Sequence, residues 1–285
     1  MPTEVTVWDV KRGSAVSVKT PDGSYIWCDA GSGSFSREEH FSPYCSVGNP
    51  YLDLFIISHP HPEHISDLGN IPMNSIGKVV FNPYTEMFFR DLITEKKVYP
   101  DAIADPYFKF IVMQDEMKCG LIKTYRSLRG EILNVHAFCA TEHMGEDRRR
   151  MDNYSVVTFL EQGNNVICIP GHIEELGWSH LKAKHQSFAE LLKRTNILVA
   201  SQHGRMEGWY SEFSEMCRPD LVVIQANDGL EKSFIREYES LVKRDARFQA
   251  DQDARMRIMD TLSSGSIKIR LEDDSFDIDL GDRAM

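Results

Sequence analysis

Three histidines fall within six positions in Ser58-His59-Pro60-His61-Pro62-Glu63-His64, a spacing that packing alone does not explain. A buried imidazole needs hydrogen-bond partners, and burying it without them is costly. Imidazole and carboxylate are the ligand types that suit zinc, iron and manganese. The bland alternative is an exposed histidine-rich turn. An aliphatic strand over residues 51–57 runs straight into the loop, which favours a metal site, because side chains converge at such a sheet edge.

Two further histidines stand in the same kind of place. His172 follows Val166-Ile167-Cys168-Ile169-Pro170-Gly171, and His203 follows an apolar stretch over residues 197–200. Each alone reads as a satisfied structural histidine; beside the loop, both read as ligands. His143 lies on a loop after a strand over residues 132–138, and His136 lies within that strand. Either completes the set, with the loop position favouring His143. His40, His180 and His185 have no such setting, and the helical pattern around the last two turns them toward solvent. Glu63, and Asp67 one helical turn beyond the loop, are the candidate catalytic groups that orient water or move its proton. Asp67 also suits a plain early-helix charge facing the helix dipole.

These residues need a frame. Short strands over 4–9, 15–20 and 25–28, separated by Lys11-Arg12-Gly13 and Pro21-Asp22-Gly23, predict an antiparallel opening. From 84 to 118 apolar residues recur at helical spacing, interrupted by Pro100 and Pro106, which predicts a helical insertion, either a cap over substrate or a surface for a protein partner. Its aromatic residues read as core rather than as base-stacking groups. Strands resume over 132–138, 155–161 and 165–170, the last two joined at Gln162-Gly163-Asn164. A helix over about 178–193 leads to a strand over 196–200, and another over about 209–217 leads to a strand over 221–225. A charged helix over about 231–246 and closing strands over 266–270 and 275–280 complete the pattern. Strands interleaved with helices, and no linker, predict one α/β domain over residues 1–285.

Composition narrows the partners. Lys and Arg number 32 against 43 Asp and Glu, a net charge of −11 that repels polyanions unless a metal or a basic patch reverses the field at the site. Arg148-Arg149-Arg150 is a solvated loop or, less simply, a phosphate clamp. Cys28, Cys45, Cys119, Cys139, Cys168 and Cys217 are dispersed without a CxxC, which fits a reduced, cytoplasmic setting and small buried hydrophobes. Cys168 stands apart because it shares a strand with a candidate ligand. The opening MPTEVTVWDV lacks the pattern of a signal peptide, and no apolar run approaches a membrane span, so a soluble chain with no membrane partner is expected.

An ordered series of short motifs resembles the metallo-β-lactamase superfamily, and within it the metallo-hydrolase domain of ComEC-type competence proteins. Val7-Trp8-Asp9-Val10-Lys11-Arg12-Gly13-Ser14-Ala15 resembles the opening "LDVGQGDA", and Cys28-Asp29-Ala30-Gly31 resembles "IDAG". His59-x-His61-x-Glu63-His64 resembles HxHxDH, and Asn153-Tyr154-Ser155-Val156-Val157 resembles "NxSVV". Ile169-Pro170-Gly171-His172-Ile173-Glu174 stands where "LTGDIE" is usual, and Gln202-His203-Gly204 where "HHG" is usual. Residues 261–268 resemble the closing "TxxDGxI". The resemblance implies a metallo-β-lactamase fold, an αββα sandwich of two mixed sheets flanked by helices, holding one or two divalent transition metals, zinc first with manganese or iron as alternatives. It implies that His59, His61 and His143 bind one metal and Glu63, His64 and His203 the other, with His172 in the place of a bridging aspartate. Glu63 lengthens the usual aspartate by one methylene. His172 removes an anionic bridge, which favours a single metal or one other than zinc. The implied activity is hydrolysis through a metal-bound hydroxide, of a phosphodiester in a nucleic acid or nucleotide. A small-molecule ester, lactam or thioester hydrolase and a regulatory scaffold are the alternatives.

Overall fold

The computed structural model describes residues 2–11, 13–32, 41–85, 107, 119–142, 151–225, 232–243 and 257–280. Strands β1 (Thr3–Val7), β2 (Val16–Lys19), β3 (Tyr25–Cys28), β4 (Leu52–Ile56) and β5 (Val79–Val80) join the closing pair β13 (Ile267–Leu271) and β14 (Phe276–Leu280) in one sheet of order β14-β13-β1-β2-β3-β4-β5. The second sheet has the order β12-β11-β10-β9-β8-β7-β6, from β6 (Gly120–Arg126), β7 (Ile132–Phe138), β8 (Val157–Gln162), β9 (Asn165–Ile169), β10 (Ile197–Val199), β11 (Leu221–Ile224) and β12 (Ile258–Asp260). Both sheets are mixed. Strands β3, β4 and β5 run parallel, as do β9 to β12, and the remaining pairs are antiparallel.

The apolar residues sort into three layers, which is why many strands read as continuous hydrophobic runs rather than as alternation. Val5, Val18, Ile26, Leu54 and Ile56 of the first sheet meet Leu133, Leu160, Ile167, Val199 and Val223 of the second between the sheets. Phe159, Cys168, Leu198 and Val222 face the other way, under α3 (Glu175–Lys184), α4 (Gln186–Arg194), α5 (Phe213–Met216) and α6 (Lys232–Leu241). On the outer face of the first sheet, Trp27, Phe55 and Ile57 are covered by Tyr44 of α1 (Pro43–Ser46), Ile65 of α2 (Pro62–Ile65) and Tyr107. This is the layering of helices, two mixed sheets and helices that the motifs implied.

Some boundaries differ from expectation. The single helix expected over 178–193 is two, because His185 is extended (φ −128°): its N–H closes α3 on the Leu181 carbonyl, and its own carbonyl accepts from Phe188 to open α4. The His185 ring lies against Phe138 at 5.6 Å, and His180 has a side-chain exposure of only 15%, so neither is the solvent-facing residue expected. The helix expected over 209–217 is a 3-10 turn, Met206–Gly208, followed by α5. Apart from Tyr84, Thr85 and Tyr107, the insertion expected over 84–118 lies outside the described residues, as do Arg148, Arg149 and Arg150. Among the described residues no helix is long and apolar enough to cross a membrane.

Candidate metal centre

The parallel strands of both sheets end on one side of the sandwich, where ligands of open α/β sheets ordinarily bind. The histidine loop leaves β4 there, and its backbone is tied on three sides. Ala30 N–H donates to the His64 carbonyl, Ser14 N–H to the Glu63 carbonyl and Val156 N–H to the Ser58 carbonyl, at 2.7, 3.0 and 2.8 Å. The approach is close enough to demand glycine at Gly31, where a Cβ would stand 2.2 Å from the Glu63 carbonyl oxygen. Gly171, with φ +64°, lets the turn after β9 press on the loop from the other sheet; a Cβ there would meet Ser58 Cβ at 2.7 Å.

Among the described residues two groups of ligand atoms result, each with its members within 4.8 Å of one another: His59, His61, Asp152 and His172, and Glu63, His64 and His172. In the first, Asp152 Oδ1 lies 3.2 Å from both His59 Nε2 and His61 Nδ1. In the second, His64 Nε2 is 3.0 Å from His172 Nε2, which is itself 3.1 Å from His203 Nε2. The loop and the two strand-end histidines thus come together. His136 does not: it pairs with Glu161 at 3.0 Å on the neighbouring strand. His143 lies outside the described residues. Cys168 is buried in the layer under the helices, away from His172.

Surrounding groups set which nitrogen of each imidazole faces inward. His64 Nδ1 meets the Asp29 carboxylate at 2.6 Å, and His203 Nδ1 donates to the Gln225 carbonyl at 2.8 Å, so each presents an Nε2 lone pair. Ser58 Oγ donates to Asp29 Oδ2 and so receives His59 Nδ1 at 3.0 Å, leaving His59 Nε2 as the inward acceptor. Burial, reinforced by neighbouring imidazoles, pushes His59 down to about 4 and His64 to about 3, and His172 well below its usual range. Burial pushes the Asp29 carboxyl up to about 7 against the bonds that pull it down. His61 is lowered by burial but raised more by Asp152, for a net rise. Burial would raise Asp152 and Glu63, yet the facing imidazoles hold both below the carboxylate range.

The result is that His59, His64 and His203 turn Nε2 lone pairs inward, toward His172 and Asp152. Asp152 Oδ1 is a buried oxygen without a hydrogen-bond partner despite its imidazole neighbours. Converging acceptors and an orphaned carboxylate oxygen are repulsive unless a cation lies among them, and the donor set of nitrogen and oxygen suits a divalent transition metal.

Asp152 and Gln225 were not singled out by sequence. Asp152 sits on a 3-10 turn, Met151–Tyr154, beside the arginine run, where a lone aspartate gives no pattern. The NxSVV resemblance was the available signal, because it fixes that turn: Asn153 accepts from Gly177 N–H and donates to Glu174, while Ser155 Oγ lies 3.3 Å from His59 Nδ1 and accepts from His172 N–H. Gln225 receives Ser14 Oγ, donates to the Ala15 carbonyl and orients His203, so the first motif and the last ligand share one residue. Asp67 has its two oxygens engaged by Ser42 Oγ and Asn70 Nδ2, and it belongs to neither ligand group.

No protein-family model and no curated protein matches the chain. Solved structures do. One described as a metal-dependent hydrolase from Parabacteroides distasonis is 13% identical, covering 90% of this chain and 93% of its own, with a TM-score of 0.48. CmlA from Streptomyces venezuelae, a diiron β-hydroxylase, is 13% identical over 94% of this chain and 54% of its own, TM-score 0.49. A variant metallo-β-lactamase from Cronobacter sakazakii is 14% identical over 68% and 75%, TM-score 0.39. These are likenesses of fold. The chemistry is read from the residues of this chain.

Proposed function

We propose that the chain is a metal-dependent hydrolase. The observation that carries the reading is the convergence of His59, His61, His64, His172 and His203 with Asp152 and Glu63 at the carboxyl ends of parallel strands. A divalent ion held there supplies Lewis acidity and brings the pKa of water down to about 7. The protein's own residues do the rest. Asp29, Ser58 and Gln225 keep the rings in the tautomers that bind. Glu63, half-buried and ionised at neutral pH, is placed to accept a proton from attacking water or to serve as a ligand. His61 keeps a side-chain exposure of 28% while His59 has none, so substrate and water reach the group from the His61 side.

A phosphodiester substrate ranks first, supported by the motif resemblance to competence-type domains. The net charge of −11 supports the second reading, a small-molecule ester, lactam or thioester. A scaffold that has lost its chemistry is disfavoured, because Asp152 supplies a carboxylate to the group from which His172 displaces one. Purified protein incubated with single-stranded oligonucleotide and divalent metals separates these readings. Cleavage that weakens with salt and disappears in a His59→Ala plus His61→Ala variant supports the phosphodiesterase. Absence of cleavage with every divalent metal tried sinks it and moves the search to esters, lactams and thioesters.

A further inference from the structure

His172 differs from His59, His64 and His203 in what its second nitrogen does. His59 gives Nδ1 to Ser58 and Ser155, His64 gives Nδ1 to Asp29, and His203 gives Nδ1 to the Gln225 carbonyl. Each therefore has one nitrogen for support and one for a ligand. Among the described residues, neither ring nitrogen of His172 meets a hydroxyl, carbonyl or carboxylate outside the two ligand groups. Its Nε2 faces His64 Nε2 at 3.0 Å and His203 Nε2 at 3.1 Å, while its Nδ1 faces Asp152 Oδ1 at 3.8 Å. It is also the residue common to both groups.

We infer that His172 bridges two metal positions through its two ring nitrogens, Nδ1 toward the position of His59, His61 and Asp152, and Nε2 toward that of His64, His203 and Glu63. The inference rests on the metal-dependent reading of the site. It reverses the sequence expectation that histidine at this position removes a bridge: the bridge is kept but changes from oxygen to imidazole. A neutral imidazole has one lone pair and one N–H, so the ring binds the first ion through its free nitrogen. It releases the N–H proton to solvent as the second ion binds, leaving an imidazolate whose charge offsets part of the repulsion between two dications. Because Nδ1 and Nε2 lie on different edges of the ring, ions held by them would stand farther apart than the roughly 3.5–4 Å of oxygen-linked two-metal sites.

The ring is fixed from its backbone. Gly171 makes the turn that the loop requires, Ser155 Oγ accepts from His172 N–H at 3.3 Å, and Gln202 Nε2 donates to the His172 carbonyl at 3.0 Å. Asp152 then supplies to the first position the carboxylate that His172 does not.

Copper(II) titration of the chelator-stripped full chain tests this without any substrate. With an imidazolate between two copper ions their spins couple, so the paramagnetic resonance signal rises to one copper per chain and falls toward zero as the second binds. In His172→Ala the signal does not collapse, and circular dichroism checks that the variant is folded. If His172→Ala fails to fold, His172→Gln takes its place: it keeps one polar end for a single copper but cannot join two, so its signal also keeps rising through the second equivalent, and a collapse in either folded variant overturns the bridge. A signal that keeps rising through two coppers, or a single copper at saturation, overturns the bridge and leaves a metal site standing. No tight binding of copper or zinc overturns the metal-dependent reading along with it.

Discussion

Asp29 shows how a residue that never reaches the ligand groups governs one that does. Its carboxylate fixes His64 at 2.6 Å and takes both the backbone N–H and the hydroxyl of Ser58. Asp29→Asn leaves the size of the side chain but weakens the acceptor that sets the His64 tautomer. Metal affinity is expected to fall about 10–100-fold, the usual cost of losing such a support, measured by competition with a chromophoric chelator; unchanged affinity would show that His64 needs no orienting group. The rings also set a pH dependence. His59 at about 4 and His64 at about 3 lie below the ordinary 6.5, and His172 and His203 are lowered too, so the unfolded chain takes up protons first as pH falls. The metal-free protein should lose stability between about 6.5 and 4. Asp29 and His61, both raised, act in the opposite sense, but two groups oppose four. Thermal melts in chelator should show the transition moving down across that window, and a flat profile would contradict neutral buried rings.

At the scale of elements, the ligands depend on backbone that ordinary residues avoid. Gln202 and His203 sit at φ 51° and 56°, left-handed values that cost about 1–2 kcal/mol per residue, and Ser201 and Gln202 anchor the turn to the Ile173 and His172 carbonyls. Gly171→Ala adds a strained φ and a contact with Ser58, and is expected to destabilise the protein by about 1–3 kcal/mol in urea unfolding while loosening the metal. A change below the error of the measurement would mean that the turn relaxes freely. The elements also show what sequence made legible. Strand-end histidines follow apolar runs, so His59, His172 and His203 could be placed at one edge from pattern alone. Asp152 could not, since a 3-10 turn has no periodicity and a run of arginines ends two residues before it. The break at His185 comes with a contact between its ring and Phe138 on a distant strand, which local helical spacing does not contain.

Across the whole molecule, two sheets must dock before the site exists, because Asp29 and the histidine loop belong to one and Asp152, His172, His203 and Gln225 to the other. Layering was legible in the runs of apolar residues, whereas strands β5, β6 and β12 were not, being short or placed among charged residues. An ion that joins the sheets at this seam binds only the folded state. At a free concentration about 1,000 times its Kd it adds about 4 kcal/mol, which raises the melting temperature by roughly 10 °C for a domain of this size. Equal melting temperatures in zinc and in chelator would contradict a site shared by both sheets.

Whether this seam holds a metal is tested most directly by the metal content of protein purified without chelator. At least one equivalent of a transition metal is expected, lost in the His59→Ala plus His61→Ala variant; less than about half an equivalent in the wild-type chain would contradict it, because a site with this many ligands retains its ion.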